Sequence, residues 1–300
     1  MIMEFKKSKI LYFVLLAITC ALVLVLLIPR ASTVNGQVVY TSLISGGRAV
    51  ESVILRWVFI LLGLFMAQMV SSAVASSIGN KEFQKIASEL LKNCDTEAFF
   101  HKAEPLFKKG SRQTDLVKYY LVGKGYIARG EYEKAIALLD AAQEQANVDW
   151  ITHDMRVSLC GVYSNACIGY VETGDNDAAV KLYSRLKAVA DATVNNRDAY
   201  AAADAMRLAA RDYIAVFAKE GFDDTAALEQ HIEKAKTEYE RVIYHYALAR
   251  LNERLDRQQE ANRSYRYVAV NGNTFFCAAA AKARLKERGV TLKKEDAGLL

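Results

Sequence analysis

Two long apolar runs, residues 10–29 and 54–78, constrain this chain most, because each has the roughly 20 residues that a helix needs to cross a bilayer core. Lys6, Lys7 and Lys9 precede the first run, and Pro29-Arg30 closes it. In the second, Arg56 stands near the start, where its stem can snorkel, and Trp57 suits the interface. The competing reading of the first run is a cleaved signal peptide, but its apolar stretch exceeds the usual core of about 7 to 15 residues and a second span follows. Residues 30–53 form a short, weakly charged external loop between the spans. Lys81, Lys85 and Lys92 follow the second run, so positive-inside bias places both termini, including the tails 1–9 and 291–300, in the cytosol. In a bacterium the membrane is then the plasma membrane; a eukaryotic organelle membrane stays open.

Gly63, Ala67, Ser71, Ala75 and Gly79 recur every four residues in the second span and make a strip of small side chains that another helix can approach closely. Two uses fit: a homo-oligomer formed through this span, or packing against the chain's own first span, where Ala17 and Ala21 offer a shallow strip.

The formal charge of +5 lies mostly beside these runs, and beyond residue 80 the chain carries 33 Lys/Arg against 32 Asp/Glu. A nucleic-acid-binding domain concentrates cations to replace the counterions of phosphates, so nucleic acid is not an expected partner. Cys20, Cys94, Cys160, Cys167 and Cys277 are odd in number and lack the paired spacing of a zinc site. They read as reduced packing residues.

From 81 to 288 there is one proline, Pro105, and apolar residues recur at three- and four-residue intervals, the period of helices. Turn signals divide residues 79–290 into short helices: Lys109-Gly110-Ser111, Arg129-Gly130-Glu131, Thr173-Gly174-Asp175, Glu220-Gly221-Phe222 and Asn271-Gly272-Asn273. Asp95 or Thr96 caps a helix near the start, and residues 273–288 read as a closing helix over the last apolar face.

The stretch YLVGKGYIARGEYEKAIALLDAA places Gly123, Tyr126, Gly130, Tyr132, Ala135, Leu139 and Ala142 at the spacing of a tetratricopeptide repeat, and the chain resembles that family. Small Gly123 and Ala135 let paired helices approach, Tyr126 fills the space between them, and Gly130 permits the turn. A second copy lies 44 positions on, with Cys167, Tyr170, Gly174, Ala179 and Tyr183. A third has Phe217, Gly221 and Ala226, with Gln230 at an apolar slot; a fourth has Leu248, Ala249, Ala261, Tyr265 and Val268, with Asn252 and Asp256 replacing the aromatic and the glycine. The fold expected is all-α: two N-terminal transmembrane helices followed by a tetratricopeptide-like α-solenoid of helix pairs.

Signatures of chemistry are sparse. His101, His153, His231 and His245 are not clustered as ligands; Gly123-Lys124-Gly125 lacks the Ser/Thr and the preceding strand of a phosphate loop; no serine sits in G-x-S-x-G. No enzyme activity, cofactor or metal is expected. The resemblance implies binding on a concave surface lined by the first helix of each pair. Carried onto this sequence, its inward positions are Tyr120 and Lys124, Ser164 and Ile168, and Tyr246 and Arg250. Tyrosines beside cations suit a protein or peptide partner with an acidic or C-terminal segment. The reading is a membrane-tethered adaptor; the alternative is an accessory subunit of a transport or secretion complex that acts through its spans.

Overall fold

The computed structural model describes residues 6–27, 30–34, 37–41, 53–107, 112–146, 151–218 and 222–292. They divide into two compact units, Met1–Phe83 and Gln84–Leu300.

Unit 1 holds α1 (Lys6–Leu27), a two-stranded antiparallel hairpin of β1 (Arg30–Val34) and β2 (Gln37–Thr41), and most of α2 (Val53–Leu91). The chain is overwhelmingly helical, as expected, and this short hairpin, within the stretch read as an external loop, is an addition to that class. Its strands are rich in residues that favour the extended state, Thr33, Val34, Val38, Val39 and Tyr40. Of the described helices, one is long and apolar enough to cross a membrane, Ile60–Leu91 within α2; Ile10–Val25 of α1 is a shorter apolar stretch. The sides of both helices carry exposed apolar residues, among them Phe13, Ile18 and Leu22 of α1 and Leu61, Phe65 and Met69 of α2.

The small-residue strip lies on the inner side of α2. Ala67, Ser71 and Ala75 are buried and Gly63 is half-buried. Ser71 Oγ lies 3.3 Å from Thr19 Oγ1 of α1, whose hydroxyl also donates to the Leu15 carbonyl at 2.7 Å. The strip therefore meets the chain's own first helix, although not through the residues expected. Ala17 and Ala21 are exposed, and the helix period of 3.6 instead turns Thr19 toward Ser71. Arg56 and Trp57 have side chains outside the described set.

Unit 2 is helical throughout its described residues. After α3 (Thr96–Ala103) and a 3₁₀ turn at Glu104–Phe107 come α4 (Arg112–Arg129), α5 (Tyr132–Ala146), α6 (His153–Thr173), α7 (Asn176–Asp191), α8 (Arg197–Ala218), α9 (Ala226–Lys234), α10 (Glu238–Arg254), α11 (Gln258–Asn271) and α12 (Phe276–Glu287). Local chemistry sets the ends. Asp95 accepts from the Ala98 amide at the start of α3, Thr152 from Met155 at α6, and Asp175 from Ala178 at α7, each satisfying an orphan amide of a first turn. Gly130 and Gly174 take φ of +72° and +86°, a conformation that only glycine adopts cheaply, and so reverse the chain within two residues. Of the other turn signals, Lys109-Gly110-Ser111 and Glu220-Gly221 fall outside the described residues.

Each helix packs on the next, and α6 also lies between α4 and α8, with α5 and α7 each packed against it. The core between these helices is apolar and buried: Leu116, Leu139, Ala142, Leu159, Val162, Ala166, Cys167, Leu182 and Leu186. Gly123 works differently from expectation. A Cβ there would stand 2.8 Å from Asn165 Nδ2 on α6, so its smallness serves the approach of α4 to α6. Tyr126 rests on Phe100 of α3, with ring centroids 5.2 Å apart.

The last helices return to the first. Asn273 Nδ2 donates to the Asn93 carbonyl at 3.0 Å, the Thr274 amide to the Cys94 carbonyl at 3.3 Å, and the Thr96 amide to Thr274 Oγ1 at 2.8 Å. The ring of Phe276 at the start of α12 fits over Gly130, where any side chain would collide with it.

Candidate functional site

The row of α4, α6 and α8 presents small and large residues in register. Tyr120 of α4 lies across Gly161 of α6, and Asn165 Nδ2 donates to the Tyr120 carbonyl at 2.9 Å. Ser164 Oγ donates to the Met206 carbonyl of α8 at 3.3 Å. These side chain to backbone bonds tie three helices side by side. On α8 the hollow that remains is lined by Ala201, Ala202, Ala205 and Ala209, too short to fill it, together with Asp204, Met206, Leu208 and Tyr213.

The opposite wall is made by α9 and the first turns of α10. Thr237 and Glu240 form a capping box: the Thr237 hydroxyl accepts from the Glu240 amide at 3.2 Å, and Glu240 Oε2 accepts from the amides of Lys236 and Thr237 at 3.0 and 3.3 Å. Tyr239 then reaches α4, where its hydroxyl donates to the Lys124 carbonyl at 3.3 Å. A cavity of about 560 Å³ is left between the two walls.

Lys124 lines this cavity with its side chain only 11% exposed. Its ammonium stands 5.1 Å from the Tyr120 ring centroid, 4.8 Å from that of Tyr239 and 3.7 Å from Glu240 Oε1. Burial disfavours the charged amine, but Tyr120 and Glu240 outweigh it, and the net displacement of its pKa is upward. The ammonium therefore stays charged at neutral pH. Across the cavity His231 Nε2 lies 2.8 Å from Asp212 Oδ2, and its ring stacks on Tyr244. Burial works to raise the Asp212 carboxyl, and the hydrogen bonds of His231 and Arg211 more than offset it, so Asp212 titrates below its ordinary range.

Four of the six sequence-predicted residues meet at this one place: Tyr120, Lys124, Ser164 and Ile168 all line the cavity. Tyr246 and Arg250 do not. They lie farther along α10 than the last cavity residues, Ile243 and Tyr244, Arg250 by nearly two turns, which carries it to the ends of α6 and α8. There Arg250 Nη1 pairs with Glu172 Oε1 at 2.6 Å, its guanidinium stacks on Phe217 at 4.2 Å, and the Tyr213 hydroxyl donates to the same Glu172 oxygen. Lys124 and Arg250 are thus not two halves of one basic clamp, and each already has a carboxylate of its own chain. A change of Arg250 to an acid is also less benign than exposure would allow, because Glu172 is 90% buried beside it.

Sequence reasoning missed Tyr239, Glu240, His231 and the alanine face of α8. Thr237…Glu240 is a readable capping box, and Ala201, Ala202, Ala205 and Ala209 a readable small face, but their meeting across the cavity is a long-range contact.

Reactive groups are held quiet. Burial pushes the thiols of Cys160 and Cys167 up to about 12, so they carry almost no thiolate, the nucleophilic form, at neutral pH. Among the described residues no group of three or more His, Cys, Asp or Glu is placed to hold a metal ion. A second hollow of about 610 Å³ lies over α5, α6 and α7, but its rim at Ala146 and Ile151 flanks residues 147–150, outside the described set.

No family model, curated protein or solved structure matches this chain.

Proposed function

We propose that the chain is a membrane-tethered adaptor in which α1 and α2 both span the bilayer and a tetratricopeptide-like array of helix pairs binds a protein or peptide partner. The observation that carries this reading is the convergence of Tyr120, Lys124, Ser164 and Ile168 on one cavity along the α4–α6–α8 row. Buried aromatic faces beside a retained positive charge are the chemistry of recognition, and an acidic segment of the partner is the complementary feature.

The reading of α1 as a second span is supported by its apolar stretch Ile10–Val25, entered after three lysines, and by its exposed Phe13, Ile18 and Leu22, which water would not favour. With Lys6, Lys7 and Lys9 before one span and Lys81, Lys85 and Lys92 after the other, both termini lie in the cytosol, beneath the plasma membrane if the cell is bacterial. Tethering raises the effective concentration of the module for neighbours at the same surface, so modest affinity suffices.

The test is a photocrosslinking amino acid placed in the full chain at Ile168, inside the cavity, and in parallel at Val180, exposed on α7. A protein adduct from 168 that is absent from 180, and weakened by Lys124→Met, supports the adaptor. The second reading, a subunit of a transport or secretion complex acting through its spans, is favoured by the exposed apolar flank of α2. It predicts the adduct from Phe65 and none from 168.

A further inference from the structure

We propose that the cavity walled by α4, α6, α8, α9 and α10 is a small-molecule site for an apolar monocarboxylate, with the acid on Lys124 and the body against the alanine face of α8. The inference goes beyond the adaptor reading and needs no partner protein. A bound acid competes with any partner segment that enters the same hollow.

Three features carry it. The volume, about 560 Å³, falls within the range of roughly 300 to 1,000 Å³ typical of small-ligand pockets, and α9 and α10 wall the side opposite α8, so the space is a half-open pocket with facing walls. Its floor is apolar because Ala202, Ala205, Ala209, Ile168, Met206 and Ile243 line it, and the alanines leave room that larger side chains would occupy.

The third feature is the charge. Lys124 offers three N–H donors at the cavity wall; Tyr120 and Glu240 already engage it, but the Glu240 ion pair is loose, with Oε1 at 3.7 Å. Glu240 is held instead by the amides of Lys236 and Thr237, so the cap of α10 survives when Lys124 turns to a ligand. An incoming carboxylate at about 2.8 Å makes the stronger, charge-assisted bond. The other acids nearby are engaged: Asp204 with Arg207 at 2.8 Å, and Asp212 with His231 and Arg211. Lys234 and Lys236 add positive charge at the rim. A cation is repelled from this site, and a neutral apolar molecule fills the floor without gaining the charged contact.

The experiment is isothermal titration of the full chain in lipid nanodiscs with 4-phenylbutyrate and octanoate, each compared with its neutral amide. The expected result is saturable binding of at least one acid, at one site per chain, with the amide weaker by about tenfold or more, the worth of a charged hydrogen bond. Lys124→Met should bring the acid down to the affinity of its amide. Ala205→Trp, which fills the pocket from an exposed position, should abolish both. If that variant loses helical circular dichroism, Ala205→Leu decides, with at least partial loss expected. The proposal is overturned if neither acid binds saturably, if acid and amide bind equally, or if binding survives Lys124→Met or both Ala205 changes undiminished. Crosslinking from Ile168, scored without added acid, reports on the adaptor reading separately.

Discussion

The two units sort the same residue types in opposite directions. In unit 1 the large apolar side chains stand outward, Phe13 and Leu61 being 65% and 63% exposed, while small or polar Ala67, Ser71 and Ala75 are inside. In unit 2 Leu90, Phe99, Leu116, Leu186 and Phe275 are inside, and the outward positions of α7 are mostly polar, Asp177, Lys181, Ser184, Arg185 and Lys187 among them, with Val180 an apolar exception. The contrast teaches what holds each together. Unit 2 has the hydrophobic effect, roughly 25 cal/mol per Å² of apolar surface removed from water, to drive its helices together. For helices whose outer surface matches lipid that term vanishes, and close packing of small residues with a few hydrogen bonds remains.

Breaking each unit in its own way tests the contrast. The largest effect should come from Phe99→Ala, which removes a fully buried ring that packs on Phe100 and Gly125. It should cost unit 2 about 3–5 kcal/mol in denaturant unfolding followed by circular dichroism, with membrane retention unchanged. The mirror-image change is Phe65→Asp, on the exposed flank of α2. It should cost about 3 kcal/mol of insertion, read as release from membranes in alkaline carbonate, and leave the unfolding midpoint of unit 2 alone. A Phe65→Asp chain that stays fully membrane-bound would remove the basis for the contrast.

Smaller effects sharpen it. Arg250→Ala should lower unit 2 stability by about 2 kcal/mol, short of the 3–5 of a fully buried pair because a third of the arginine is exposed, and a second change, Glu172→Gln, should restore much of the loss. Ser71→Ala deletes the hydroxyl that meets Thr19 and should weaken the association of α1 with α2 by only about 0.6 kcal/mol, measured by disulfide trapping between engineered cysteines on the two helices.

What could be read from the sequence follows the range of the interaction. Gly130 and Gly174 are local demands of a turn, Asp95 a local demand of a helix start, and each is found where its neighbours in sequence require it. The spacing of small residues on α2 located its inner face, because position on a helix is also local. The partner strip on α1 was misplaced, since which side of an evenly apolar helix turns inward depends on the neighbour and not on its own pattern. Part of the cavity wall was named in advance: the inward positions implied by the tetratricopeptide resemblance included Tyr120, Lys124, Ser164 and Ile168, which all line it. The arrival of Tyr239 and Glu240, more than a hundred residues later, and the departure of Arg250 to Glu172 depend on how α9 and α10 return across the row.

The contacts of Asn273 and Thr274 with Asn93 and Cys94 have a mechanical consequence. A linear stack of repeats frays from whichever end is weaker, but unit 2 is fastened like a hoop, with its clasp made by segments some 180 positions apart. Removing the chain from Asn273 onward should therefore loosen α3 at the head, although the two lie at opposite ends of unit 2 in sequence.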